Sequence, residues 1–440
     1  MEQPEVLRLR ILIVGGGIAG LAAAYCLGRA GHEVVVLESS LTMKEIGAGI
    51  QLGPNMSRLL IRWGLADRLN EKAVKPHYLS FYRYDSGERI GFSWLGKKME
   101  TDHGAPYYHI HRRDLLHMLH DIATPFMELK LGCRVVAVNT ETTTVLLDSG
   151  HELSGDLIIG ADGNRSLVRK AVATGFADQP ESLPTGDMAY RATIPLHLII
   201  DDAELRALVS PPQIHCWMGP DRHIVGYCIS AATEFNLVLI CPDTDMSSDS
   251  WTQSGNAEEM RRMFKGWDPR IQKLLQLVDS PLQTKIMLCT PPTRSSFRRV
   301  VLIGDACHPM LPYRAQAAAM SIEDAAVLGR LFSSITDVRQ ISLLLYGYEE
   351  IRKPRILSTL RDTWSNRRIF HLPDGPDQIL RDTSMRNGMM RALAKESHKG
   401  AGNANMWADH QKNQEQYSFD GDQAVDDWWE YIRGAIPPKL

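Results

Sequence analysis

No Cys-x-x-Cys pair occurs in this sequence. Its seven cysteines, Cys26, Cys133, Cys216, Cys228, Cys241, Cys289 and Cys307, are odd in number and widely spaced. That pattern argues against a zinc ribbon or a disulfide scaffold and reads as buried small apolar residues in a reducing compartment. No apolar run is long enough to span a bilayer. The opening MEQPEVLRLR carries two acids, and the apolar run behind it breaks at Gly15-Gly16-Gly17 without a cleavage site, so no secretory leader is read. Charge of either sign is not in excess: the net charge is -3, with 23% charged residues. This leaves no electrostatic footprint for nucleic acid or an anionic membrane. There is no internal repeat and no low-complexity tract. The expectation is a soluble, cytoplasmic protein with small-molecule partners, as monomer or homodimer. Pro438-Lys439-Leu440 offers a peroxisomal alternative, with proline in place of the usual small residue.

What is present is a chain of 440 residues, 44% of them hydrophobic, enough for a large core and two or more domains. Residues 9–38 read as strand, turn, helix and strand. Ile11-Leu12-Ile13-Val14 is a short apolar run, Leu21 to Arg29 is an alanine-rich helix stopped by Gly31, and Glu33 to Glu38 is the second strand. Tyr78 to Trp94 alternates like antiparallel strands, Arg112 to Ile122 reads as a helix, and Val135 to Ile159 as strands with turns. From Met188 to Thr284 the pattern is mainly alternating β. Val300 to Phe332 is strand, loop and helix, and the remainder is largely helical. The order predicts an α/β dinucleotide-binding fold interrupted by an inserted sheet.

Gly15-x-Gly17-x-x-Gly20 follows a strand and opens a helix. The first glycine permits the tight turn, the second lets backbone approach a pyrophosphate, and the third allows close helix–strand packing. Glu38, at the end of the second strand, stands where a carboxylate would accept from a ribose hydroxyl. NAD and FAD share this fingerprint. A second strand end is Gly304-Asp305-Ala306-Cys307-His308-Pro309, leading through Pro312, Arg314 and Gln316 into Ala317-Ala318-Ala319. There the acid would meet polyol or pyrophosphate groups, the prolines restrict the loop, and the small residues leave a helix N-terminus open to a planar ring.

Together these motifs resemble the class A flavoprotein monooxygenases, closest to their fungal salicylate-hydroxylase-like branch. A middle motif, Gly160-Ala161-Asp162-Gly163-Asn164-Arg165-Ser166, is similar as well. So are Glu45 to Gln51, His111 to Leu115, Tyr348 to Arg355 and Phe370 to Gly375. The likeness extends to about residue 380. It implies FAD as cofactor and NAD(P)H as co-substrate. It further implies that Glu38 holds the adenosine ribose, that Ala48, Gly49 and Gln51 line the FAD, and that Arg112 contacts its ribityl–phosphate region. Asp305 would bind the ribityl or pyrophosphate portion and Ala318 would lie near the flavin ring. Asp162 and Gly163 would serve both FAD and NAD(P)H. Arg191 and Tyr227 match active-site positions, with Arg191 stabilising a phenolate and Tyr227 hydrogen-bonding it. The implied reaction is insertion of one oxygen atom of O2 into a phenolic or polyketide-derived ring through a flavin C4a-hydroperoxide, in fungal secondary metabolism. The same flavin chemistry would also serve epoxidation or indole hydroxylation. A flavin dehydrogenase or oxidase and a non-catalytic flavin scaffold are further alternatives.

Ala317 departs from the glycine common after the loop glutamine, and its methyl group bears on the flavin contacts. No second GxGxxG is present, which fits a family in which nicotinamide has no Rossmann domain of its own. His109, His111, His117 and His120 suggest metal ligands by spacing, but no second cluster completes a set and no metal is expected. His308 has no partner that spells a nucleophile triad. Trp407, Trp428 and Trp429 would cap a substrate cavity or bury a terminal helix. The expected division places FAD-binding segments at residues 1–77, 106–177 and 285–360. Substrate-domain strands are expected at 78–105, a substrate-binding β-sheet at 178–284, and a helical region at 361–440.

Overall fold

Ile11-Leu12-Ile13-Val14 is apolar at every position, as suits a strand covered on both faces. The computed structural model, which describes residues 6–43, 49–176, 182–243, 252–396 and 401–435, puts the strand Arg10–Val14 inside a six-stranded sheet. Across that sheet the strands are Ser296–Phe297, Val300–Leu302, Leu157–Gly160, Arg10–Val14, Glu33–Leu37 and Glu128–Lys130, all parallel except the first. Period-2 alternation divides the strand residues between two cores. Ile11, Ile13, Val34, Val36, Leu157, Ile159 and Val301 pack with the helices Ile18–Arg29 and Ala317–Phe332. Leu12, Val14, Val35, Leu37, Ile158, Val300 and Leu302 pack with Val145, Leu147, Val168 and Val172.

The first helix starts at Ile18, not at the expected Leu21. Gly20 is a poor helix former, which masks the first turn in the sequence. Its position demands glycine, because a Cβ there would lie 2.0 Å from the Gly15 carbonyl oxygen.

The alternating segments form a second, eight-stranded sheet. Its order is Thr252–Ser254, Leu282–Cys289, Ser182–Pro195, Glu234–Pro242, Arg222–Ile229, Ile214–Gly219, Tyr78–Arg83 and Arg89–Trp94. Pairing is antiparallel except between Ile214–Gly219 and Tyr78–Arg83. One face buries Trp217, Phe235 and Leu237 with the helices at Ala203–Val209 and Pro269–Gln276. The other buries Phe81, Cys216 and Tyr227 with Phe370, Trp407 and Tyr417 from the last quarter of the chain. The strand Leu282–Cys289 runs through the boundary expected at residue 284, so this sheet continues to Cys289. Ladder hydrogen bonds to Ser182–Pro195 hold it there in spite of the threonine and lysine that weaken its apolar pattern.

The described cysteines are all free thiols, five of them buried. Among the described residues no helix is long and apolar enough to cross a membrane. The ending Pro438-Lys439-Leu440 lies outside the described residues.

Candidate functional site

Four of the motifs read from sequence follow the carboxyl ends of parallel strands. Gly15 comes after Val14, Glu38 after Leu37, Asp162 after Gly160, and Asp305 after Leu302. The crevice outside such strand ends is where open α/β sheets bind nucleotides. Gly15 takes φ +108°, and a Cβ on it would lie 2.4 Å from the Ala161 carbonyl oxygen. Around Gly17 there is open space, and the helix it caps has no side-chain cap. Unspent N–H groups at the start of that helix thus face a clear approach, which fits a pyrophosphate.

Glu38 accepts from Gly16 N at 2.8 Å and from Ser40 N at 2.7 Å, which fixes its carboxylate beside the glycine turn. Oε1 also accepts from Ser39 Oγ at 3.3 Å, and Oε2 keeps a lone pair for a ribose hydroxyl. Asp162 is fixed locally, with acceptor capacity left on Oδ1. It accepts from Ser166 Oγ at 2.5 Å, Leu167 N at 2.7 Å and Val168 N at 3.1 Å, capping the helix Leu167–Thr174. Gly163 beside it takes φ +74° with open space around it. Burial raises the Asp305 carboxyl above its ordinary range, against the pull of Arg112, His308 and Arg169. Such a group gains from polyol hydroxyl donors. Arg169 donates to the carbonyl oxygens of Asp305 and Ala306 and holds this turn in place.

A two-stranded ribbon adds the third wall. Gly49–Leu52 pairs with Tyr108–His111, setting Gly49 opposite His111 and Gln51 opposite His109, and Arg112 opens the next helix. Ala48 lies outside the described residues. Gly49 N donates to Asn236 Oδ1 at 2.9 Å, and a Cβ on Gly49 would lie 2.7 Å from the Tyr227 ring. The cofactor-side ribbon therefore touches the eight-stranded sheet at Tyr227. Asn236 was missed in the sequence, although an asparagine inside Phe235-Asn236-Leu237-Val238 is a signal of a buried polar contact.

Arg191 and Tyr227 act on one another's charge. Burial pulls the Arg191 guanidinium below its ordinary range, with Tyr227 opposing and Arg112 adding to the effect. Burial pushes the Tyr227 hydroxyl well above its ordinary range, with Arg191 and Gln51 opposing. Tyr227 is thus a neutral donor at working pH, beside a permanently charged guanidinium. Neither residue lines the apolar cavity that lies between Phe81, Cys216, His223, Tyr313, Ala315 and Trp407. Gln51 connects the two, because it lines that cavity and its amide faces the Tyr227 hydroxyl.

Ala318 sits in the first turn of Ala317–Phe332, with Ala317 also half-buried. Gln316 starts this helix, and no side chain caps it. Its amide oxygen instead accepts from Asn55 at 3.0 Å and Gln416 at 2.9 Å. The helix start stays open to a group carrying negative charge.

The histidines have other work. His109 is buried with its ring 4.4 Å from that of Tyr227, and burial lowers it to about 3. His111 Nδ1 accepts from Arg113 N at 3.1 Å and caps a helix. Among the described residues no three His, Cys, Asp or Glu side chains come together as metal ligands. Trp407 meets both sequence readings, being buried and lining the cavity, and Trp428 packs against Gly347.

Residues 8–363 match the family model described as FAD binding domain. The chain is similar to the FAD-dependent monooxygenase OpS4 of Beauveria bassiana (strain ARSEF 2860), 37% identical over 389 residues, covering 87% of this chain and 90% of that protein. It is also similar to the 3-hydroxybenzoate 6-hydroxylase of Klebsiella oxytoca, 32% identical over 371 residues, covering 82% and 89%. In fold it resembles a salicylate hydroxylase solved as a substrate complex, with a TM-score of 0.76 at 20% identity over 98% of this chain and 99% of that one.

Proposed function

This chain belongs to the FAD-dependent class A flavoprotein monooxygenases, and on that premise we propose that it hydroxylates a phenolic, polyketide-derived small molecule in fungal secondary metabolism, with NAD(P)H as electron donor. NAD(P)H would supply two electrons, one oxygen atom of O2 would become the ring hydroxyl, and the other would leave as water. Bound FAD supplies the electron transfer and the activation of O2. The protein's share is to hold the cofactor, position the ring, favour its phenolate and exclude water.

For the cofactor, Gly15, Gly17 and Gly20 shape the pyrophosphate turn, and Glu38 takes the adenosine ribose. Arg112 and Asp305 take the ribityl and phosphate groups, while Ala48, Gly49, Gln51, Asp162, Gly163 and Ala318 complete the FAD surround. For the substrate, Arg191 offsets the charge of a phenolate and Tyr227 donates a hydrogen bond to it. The observation that carries this reading is the approach of Gly49 to Tyr227, which brings the cofactor ribbon against the substrate sheet. The parallel sheet draws its strands from residues 10–37, 128–160 and 296–302, which supports the division into three FAD-binding segments.

The test is turnover of the purified holoprotein under labelled O2 with NADH or NADPH and a panel of phenols. The expected result is ring-dependent nicotinamide oxidation with one labelled oxygen atom in the product. Nicotinamide oxidation that yields only hydrogen peroxide with every phenol would overturn the hydroxylase reading in favour of an oxidase.

A further inference from the structure

Arg314 closes the short turn Pro312–Arg314 just ahead of the helix Ala317–Phe332. Its side chain is fully buried. None of its three guanidinium nitrogens has a hydrogen-bond partner among the described residues. The guanidinium carbon lies 4.6 Å from the centre of the Trp407 ring and 6.0 Å from that of Tyr417. Two π-faces attract a cation, but they accept none of its N–H donors. The neighbouring polar groups are donors too. Trp407 Nε1 faces the Tyr107 and Tyr417 hydroxyls without closing a hydrogen bond to either, and the Tyr417 hydroxyl is also unpartnered. Tyr107 is turned away, donating to Gln51 Oε1 at 2.8 Å. The Arg314 charge acts on both tyrosines and opposes the rise that burial imposes on their hydroxyls.

Arg352, buried to the same depth, holds both Glu323 and Asp324. A buried cation ringed by unspent donors is the composition of an anion site. Its place is equally specific. Pro312, Tyr313 and Ala315, on either side of Arg314 in sequence, line the apolar cavity, and so does Trp407.

We propose that Arg314, with Trp407 Nε1 and the Tyr417 hydroxyl, binds a single anion of carboxylate size beside this cavity, behind the wall that Pro312, Tyr313, Ala315 and Trp407 form. The anion is carried by the aromatic substrate or is a free inorganic ion. The inference rests on the cavity being the substrate site. Gln51, which lines the cavity and faces Tyr227, joins the cavity to the Arg191 and Tyr227 region, so Arg314 would anchor a second acidic group of a substrate whose phenolate lies there.

The test is calorimetric titration of the FAD-loaded protein at fixed ionic strength with benzoate, its neutral isostere benzamide, and nitrate. The wild-type protein is expected to bind benzoate at least about ten-fold more tightly than benzamide. Arg314→Met should reduce that ratio to below about two-fold, and Arg314→Lys should retain only part of it, because the charge stays but the planar stack on Trp407 is lost. Trp407→Phe keeps the ring but loses one donor. It should weaken benzoate by about three-fold, and it decides the matter if Arg314→Met does not fold. Competition between nitrate and benzoate assigns the site to a substrate carboxylate, and nitrate binding without competition assigns it to a free ion. Equal affinity for benzoate and benzamide with no nitrate binding overturns the proposal, as does a benzoate preference that survives Arg314→Met. Failure of the hydroxylation reading would appear instead as absence of labelled product, with these titrations unchanged.

Discussion

The Tyr227 hydroxyl is the donor that the proposed hydroxylation assigns to the phenolate. Burial holds that hydroxyl well above its ordinary value of 10.0, so it stays protonated through the working range. Tyr227→Phe removes the donor and keeps the ring that Gly49 and His109 pack against. Expected are an unchanged FAD content and a fall in kcat/KM of about 100-fold, the usual loss for one donor to a developing anion. Steady-state kinetics beside the flavin absorbance would check both, and equal loss of flavin and activity would make Tyr227 a packing residue only. At this scale the sequence was legible where a residue type is forced by backbone geometry. Gly15 and Gly20 stand where a Cβ would meet backbone, and such constraints leave a mark in spacing. Arg314 left no such mark. In the string Pro312-Tyr313-Arg314-Ala315 it looks like any loop arginine, and its burial under Trp407 and Tyr417 depends on chain about 100 residues away.

The helix Ala317–Phe332 shows the same limit one level up. Its strand, loop and small residues were readable in order, but not what fastens it. Gly304 N donates to Asp324 Oδ2 at 2.9 Å, and His308 Nε2 lies 2.6 Å from the same oxygen. Arg352 donates to Asp324 Oδ1 at 2.8 Å and to Glu323 at 2.6 Å, and Arg355 grips Glu323 from the other side. These partners come from three elements, and no periodicity announces them. His308, which spells no nucleophile triad in the sequence, ties the end of the Gly304–Ala306 turn to the helix. Burial works to raise the Asp324 carboxyl, but His308, Arg352 and the Gly304 N–H outweigh it and hold it down at about 2, below its ordinary 3.8. A carboxyl lowered on folding contributes stability above its unfolded value, lost as pH falls through its folded one. The network therefore holds above pH 3.8 and gives way between there and pH 2. Asp324→Asn leaves Arg352 and His308 without this charge and should cost about 3–5 kcal/mol at neutral pH. Denaturant melts across pH would show the loss together with a flatter acid limb. An acid limb identical to that of wild type would place the titration elsewhere.

Taken whole, the molecule's two large sheets are locked together by the last quarter of the chain. Arg58 donates to the carbonyl oxygens of Tyr417 and Phe419, each at 3.0 Å, and Arg355 to those of Glu415 and Gln416, each at 2.8 Å. These bonds fasten the tail to the helices beside the parallel sheet. Asn405 Nδ2 reaches Ser93 Oγ at 3.0 Å, and Trp407 lies 6.0 Å from Phe81, so the same tail also covers the eight-stranded sheet. The tail was readable as helical and tryptophan-bearing, but its path between the sheets was not, since packing of this kind depends on shape rather than pattern. Trp407 is the piece of the tail that reaches the cavity. An enzyme that transfers an activated oxygen needs a dry site, because water entering it releases the oxidant as hydrogen peroxide. Trp407→Ala opens this wall while leaving the glycine turn, Glu38 and Asp305 untouched. It should cost about 3–5 kcal/mol of stability, so the assay belongs well below the melting temperature. There, nicotinamide oxidation should continue, while the ratio of hydrogen peroxide to hydroxylated product rises at least about three-fold. A parallel fall of both products at constant ratio would mean that Trp407 supports the fold without sealing the site.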